Sequence, residues 1–346
     1  MLQRPFHFVG CRSHDRPATA KRPVRRRALL ALPALAASTA HAQDFPETGR
    51  PVQVIVPYPP GGGSDISARA LAPLLERQLG APVVVVNRPG ANSQIGLAQT
   101  AQARPDGYTL CYGLWPSTVT LILDPSRKAG FSRASFAPLA MHVIDPGSII
   151  VRVDSPLHSL ADLVAAARAR PGTLPASDPG ILSWEHLASL QLQKLNGIAL
   201  NQIHYQGSAP ELVALLAGEI EVAFVATGTA MTQTRAGAAR TLAVLDEKES
   251  EFLPGVPTAT AQGSRLVTGS ARGFIAPAGL PATVAQRLSA ALERAIGSKE
   301  HRQKMRELGL PIRYMDPAEF SRYWDAEERS LASLVHEVVS SGTTLN

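Results

Sequence analysis

The residues best suited to chemistry in this chain are three consecutive glycines, Gly61, Gly62 and Gly63, followed by Ser64 and Asp65. They stand between the apolar run Val52 to Val56 and a run, Ile66 to Leu79, with apolar residues at the spacing of one helical face. Glycines remove Cβ atoms where a chain turns tightly and where another molecule can approach the backbone. A helix starting just after them aims unpaired N–H groups into that gap. The pattern suits an anion cradle and equally suits an ordinary connector. Further hydroxyls that could hold carboxylate oxygens are Ser64, Ser177, Ser183, Ser208 and Thr227, each near the end of an expected strand or the start of a helix. Trp115 and Tyr205 could pack on a ligand's carbon skeleton, or equally form core and hinge contacts. Asp65 reads either as a helix cap or as an acceptor for a water or a ligand amine. Arg69 and Arg88 could lend charge or simply be solvated.

Catalytic patterns are missing. Gly63-Ser64-Asp65 lacks the glycine that closes a G-x-S-x-G elbow, and neither a phosphate-binding G-x-x-x-x-G-K-[ST] nor a G-x-G-x-x-G occurs. The histidines at 142, 158, 186, 204, 301 and 336 are scattered singly, without metal-ligand spacing. The expectation is a binding protein with no catalytic residues, no metal and no cofactor; a hydrolase using Ser64 is the contrasting class.

The elements that must position these residues alternate. Strands are expected at 52–56, 83–86, 108–112, 136–144, 148–153, 173–177, 201–205, 221–226 and 240–245, with a crossing segment at 274–277 and a short extended piece at 311–314. Helices are expected at 66–79, 94–103, 159–169, 183–195, 209–217, 284–296, 299–308 and from Asp316 to about Val339. Val83 to Val86 reads as a strand covered on both faces, Asp145-Pro146-Gly147 as a break or a crossing segment between two strands, and 113–118 and 227–229 as loops. This is an α/β chain with two units joined by two crossings, so that the glycine turn and the loops at 115–117, 177–183, 206–208 and 227–229 face one cleft. The division places one domain at 43–147 plus 272–346 and the other at 148–271.

Residues 1–42 form an expected export signal: Arg25-Arg26-Arg27, the apolar stretch Ala28 to Ala37, then Ala40-His41-Ala42 as the cleavage motif. That segment holds eight of the 34 Lys and Arg and one of the 28 acids, so the remainder carries 26 basic against 27 acidic residues. The basic pI belongs to the signal, and a nucleic-acid partner loses its support. Only Cys111 lies beyond the signal, which leaves no intrachain disulfide.

Several ordered segments carry a resemblance: Arg50 to Asp65, Val84 to Ala91, Pro105 to Leu110, Tyr205 to Pro210, Arg240 to Val244, Leu253 to Thr258 and Ala276 to Pro281. In these the chain resembles the Bug-type periplasmic solute receptors of tripartite tricarboxylate transporters. The resemblance implies a two-lobed periplasmic binding protein fold, type II-like, with a small carboxylate between the lobes. It implies contacts from Tyr58 to Asp65 on one lobe and from Ser183, Tyr205, Gly207 and Ser208 on the other. The implied partner is a membrane permease, or a sensor kinase in a signalling version. The chain departs from the family pattern at Leu182, where glycine is usual, at Gln206, where lysine is usual, and near Ala271, where a tryptophan is usual.

Overall fold

In the computed structural model, which describes residues 45–205 and 208–340, the first expected strand is β1 (Val52–Val56), with only Gln53 escaping full burial. It leads through the glycines into α1 (Gly63–Leu79), β2 (Val83–Asn87), α2 (Gln94–Ala101), β3 (Thr109–Trp115), α3 (Ser117–Leu123) and the long β4 (Phe136–Arg152). Then come α4 (Leu160–Ala169), β5 (Pro175–Asp178), α5 (Trp184–Asn196), β6 (Asn201–His204), α6 (Ser208–Ala217), β7 (Val222–Ala226), α7 (Thr227–Arg235) and β8 (Ala239–Leu245). The chain returns through β9 (Gly269–Pro277) to α8 (Ala282–Gly297), α9 (Lys299–Glu307), β10 (Ile312–Met315) and α10 (Pro317–Ser340). The expected export signal, residues 1–42, lies outside the described residues, as does Gly207.

The strands order as β2-β1-β3-β9-β4-β7-β5-β6, with β8 and β10 both paired to β4 off that path. In one half β1 runs parallel to β2 and β3, and in the other β5 runs parallel to β6 and β7. Between them β4 and β9 are antiparallel and register Asp145 against Ser270 and Val143 against Arg272. This is the two-lobed α/β fold expected.

Four local expectations are corrected. Of the two readings of Asp145-Pro146-Gly147 the break is not found and the crossing is: β4 is continuous and passes there from pairing with β9 to pairing with β7 and β8. Gly113 to Trp115 belong to β3 and pair with β9, so Trp115 ends a strand rather than opening a loop. Ser117 to Leu123 and Thr227 to Arg235 are short helices whose Ser, Thr and β-branched content hides them from propensity. Finally, β2 is an edge strand with Val84 46% exposed, not a strand covered on both faces.

Apolar burial accounts for the rest. Leu71, Leu75 and Leu79 of α1 meet Val52, Val54 and Leu288 in one core. Ile149, Leu163, Ala188 and Phe224 fill another under β5 and β7. Trp115, Phe320 and Trp324 form an edge-on aromatic group that also takes Leu182 and Leu187 from the opposite half. Behind α1, Ser67 Oγ donates to Tyr112 Oη at 3.1 Å, Tyr112 Oη meets His142 Nδ1 at 2.8 Å, and His142 Nε2 meets His301 Nε2 at 2.7 Å. Both histidines are buried links in a core chain.

Candidate functional site

The glycine turn is built by its own aspartate. Gly61 adopts the left-handed φ of 85°, which a side chain would disfavour, and its N–H donates to Asp65 Oδ2 at 2.9 Å. Asp65 Oδ1 accepts from Arg69 Nε and from Asn87 Nδ2, each at 2.9 Å. Asn87 Nδ2 also donates to the Tyr58 carbonyl at 3.0 Å, so the end of β2 is tied into the turn. Burial raises the Asp65 carboxyl pKa, but the bonds from Gly61, Asn87 and Arg69 outweigh it and leave the pKa below its ordinary value. Asp65 therefore orders the turn, Arg69 is occupied by it, and Arg88 is exposed.

This arrangement leaves the start of α1 open. Gly62 is the N-cap and has no side chain to cap with; the first intrahelical bond is Ile66 N–H to Gly62 O at 2.9 Å. Among the described residues no acceptor meets the amides of Gly63 and Ser64. A Cβ on Gly61 would meet open space, and one on Gly62 only the Pro59 carbonyl at 3.9 Å. Gly61 and Gly62 thus leave the approach to the helix start clear for another molecule. No histidine hydrogen-bonds Ser64 among the described residues, so the base that a serine nucleophile needs is not in place.

Under the turn runs the β4–β9 crossing. Arg272 is 6% exposed, and a Cβ on Gly63 would lie 3.0 Å from its Nη2. Its Nη1 is 3.6 Å from Asp145 Oδ2, an ion pair beyond hydrogen-bond distance. Burial pushes Asp145 up to about 6 against the opposing pull of Arg272. Tyr58 contributes a buried hydroxyl that has no partner within hydrogen-bond distance among the described residues, and burial raises it to about 12 against the smaller opposing pull of Ser93 and Ser117. Arg272, Asp145 and Ser270 escape sequence reading because their meeting depends on the register of β4 against β9. The usable signal is a charged residue inside the otherwise small and apolar run Gly269 to Pro277.

On the other half, the expected donors are already engaged. Ser177 Oγ donates to Glu211 Oε1 at 3.0 Å and Ser183 Oγ caps α5 by accepting the His186 N–H at 3.1 Å. Thr227 Oγ1 donates to the Pro146 carbonyl at 2.8 Å and lies 3.1 Å from Ser148 Oγ. Tyr205 is half-buried against the apolar cluster that includes Leu215 and Val225, its amide bonded to the Asp178 carbonyl at 2.9 Å. Ser208 is exposed at the start of α6. Trp115, expected against a ligand, is fully buried beside Phe320 and Trp324. Leu182, at the position of the missing family glycine, adopts φ 62°, a strained conformation for a side-chain-bearing residue, and buries its side chain beside Trp115.

Asp178, His186 and His204 place possible metal-ligand atoms within 4.8 Å of one another. Their hydrogen bonds argue against a cation. The Leu182 N–H donates to His186 Nδ1 at 3.0 Å, so the neutral ring bears its hydrogen on Nε2 and has no lone pair there. His204 Nδ1 lies 2.9 Å from each Asp178 oxygen, and Gln202 Nε2 and the Gly180 amide also donate to that carboxylate at 2.9 Å. Burial drops His186 to about 4 and lifts Glu185 to about 8, and burial together with the nearby Glu185 lifts Glu211 to about 9. Both glutamates are thus protonated at neutral pH. A separate cavity of about 650 Å³ lies between α5 and α10, lined by Lys194, Arg265, Arg313 and Tyr323 among others; it shares no residue with the glycine turn. Volume favours that cavity, whereas free amides and orphaned polar atoms favour the turn. Buried donors without acceptors cost free energy that open space does not, and this makes the turn the candidate site.

Known proteins share this chain's sequence pattern and fold. A family model described as the tripartite tricarboxylate transporter family receptor matches residues 67–339. Protein BugT of Bordetella pertussis is 35% identical over 266 residues, 76% of this chain and 81% of that one. A solute-binding protein of the same family from Polaromonas superposes with a TM-score of 0.72 at 27% identity, covering 85% of this chain and 99% of that one. An R. palustris protein solved with adipate does so with a TM-score of 0.74 at 28% identity, covering 86% and 99%. The matched family is one of receptors rather than enzymes, and this chain belongs to it, the tripartite tricarboxylate transporter family of receptors.

Proposed function

We propose that this protein is an extracytoplasmic receptor that captures a small carboxylate at the glycine turn and presents it to the permease of a tripartite tricarboxylate-type transporter. The observation that carries the reading is the uncapped start of α1, where the amides of Gly63 and Ser64 meet no acceptor and the neighbouring glycines leave room for one. A carboxylate there gains roughly 0.3–1 kcal/mol from the helix end, about 2 when partly buried. A micromolar ligand needs about −8 kcal/mol. The remainder comes from closure of the halves, with 43–147 plus 272–346 and 148–271 acting as the two lobes about the β4 and β9 crossings. Adipate in the R. palustris relative supports the ligand class. The export-type segment at 1–42 supports a place outside the cytoplasm.

The test is a titration of protein unfolded and refolded to strip bound ligand. Melting temperature should rise with at least one short mono-, di- or tricarboxylate. A flat response to all three classes would contradict the reading.

A further inference from the structure

Five of the ten buried side-chain polar atoms that have no hydrogen-bond partner among the described residues occur together: Arg272 Nε and Nη1, Asp145 Oδ1, Ser270 Oγ and Tyr58 Oη. Folded proteins leave few such atoms, and each costs free energy unless something completes it. Their concentration under the glycine turn marks a place that a ligand finishes. Asp145 and Ser270 face each other across β4 and β9, and Arg272 follows Ser270 by two residues, so all three side chains share one sheet face. The Arg272 guanidinium lies against Gly63, the first residue of α1.

We propose that Arg272 is the charged anchor of the ligand carboxylate, and that Asp145 and Ser270 select a monocarboxylate bearing a hydrogen-bond donor on its second carbon, a 2-hydroxy or 2-amino acid, over a dicarboxylate. The inference rests on the carboxylate-receptor reading above. The guanidinium and the α1 amides are donors converging on one spot, the arrangement a carboxylate accepts. Asp145 Oδ1 is a buried acceptor without a hydrogen-bond partner among the described residues; the backbone amides of Thr227 and Gly228 also draw on this carboxyl, and a donor from the ligand completes it at Oδ1. Charge sets the count. Arg272 and ionised Asp145 cancel, and the partial positive charge of the helix start accommodates one added carboxylate. A second carboxylate would enter beside ionised Asp145, with buried Asp178 on the facing half, where the protonated Glu185 and Glu211 offer it no countercharge. Nothing cationic there balances it: His186 is buried and neutral, and His204 is already turned to Asp178.

The test is calorimetric titration of the ligand-stripped chain with short straight-chain acids in matched sets: the unsubstituted acid, its 2-hydroxy and 2-amino forms, and the α,ω-dicarboxylate. Wild type should bind a 2-substituted monocarboxylate about tenfold or more tighter than the parent acid or the dicarboxylate. Arg272→Gln should lower that affinity about 100-fold or more. Arg272→Lys, which keeps the charge and loses the fork, should fall between and guards against a folding artefact. Asp145→Asn should erase the preference against dicarboxylates. If wild type binds an acid and folded R272Q binds it equally well, the anchor is overturned while the receptor reading stands. A wild-type preference for dicarboxylates overturns the selection. If no acid binds wild type, the receptor reading fails and the anchor fails with it.

Discussion

The two halves that meet at the β4–β9 crossing treat their polar groups in opposite ways. Around the second half's β5 and β6, the serines, threonine, aspartate and histidines engage one another: Ser177 with Glu211, Ser183 with the His186 amide, Asp178 with His204 and Gln202, and of these groups Glu211 Oε2 alone is left without a partner among the described residues. Around the first half's glycine turn only the supporting carboxylate is satisfied, while the Gly63 and Ser64 amides and the polar atoms of Arg272 beneath them are left open. A residue type that can bind a ligand becomes a binding group only where the fold leaves it without a partner. Hydroxyls near strand ends are therefore weak evidence, and orphaned buried donors are strong evidence.

The sharpest way to break this contrast is Asp65→Ala. It strips the acceptor from Gly61, Arg69 and Asn87 at once and should cost about 2–4 kcal/mol, read from the urea midpoint, because three donors lose their partner. Ligand affinity should collapse with it, since the turn loses its tie to β2. An unchanged midpoint would mean that the turn holds its shape without the carboxylate.

Next comes the pH dependence of the second half. Glu211 is pushed up to about 9 and Glu185 to about 8, from an ordinary 4.5. Between 4.5 and those values the folded chain holds protons that the unfolded chain has released, so stability falls as pH rises through this window. The melting temperature should drop by several degrees between about pH 5 and pH 9, and Glu211→Gln should flatten the curve. A flat wild-type curve would show that these carboxyls ionise freely in the folded state.

Ser177→Ala should cost about 1 kcal/mol by leaving Glu211 without its donor, and ligand affinity measured on the same protein should not move. A loss of affinity without loss of stability would make Ser177 a ligand contact and erode the contrast between the halves. Ser208→Ala, at an exposed helix start, should change stability by less than about 0.5 kcal/mol and affinity not at all. A clear affinity loss would bring the second half into direct contact with the ligand.

Much of the architecture is written locally. The buried strand before the glycines, the α1 stripe Leu71, Leu75 and Leu79, and the Asp316-Pro317 helix start are periodicity and capping signals that packing does not override. What escaped was set by neighbours. Val83 to Val86 look covered on both faces, yet β2 sits at the sheet edge, which no local pattern reveals. For Trp115 the local sequence leaves ligand packing and core packing both open, because its apolar run ends at Tyr112; antiparallel pairing with β9 extends β3 and carries Trp115 into the aromatic core. At the site, the glycine turn was readable from composition, and the helix-ordering role of Asp65 was one of two readings left open. Arg272 and Asp145 lie 127 positions apart in the numbering and meet only through strand register.

The central claim is that a carboxylate sits on the free amides of the glycine turn. The direct measurement is a backbone amide NMR titration of ligand-stripped protein with the acid that raises its melting temperature most. The account predicts that the largest shifts fall on Gly62, Gly63 and Ser64, with the Arg272 side-chain Nε–H moving alongside them. Shifts confined to Lys194, Arg265 and Arg313 around the separate cavity, with the glycine amides unmoved, would contradict it.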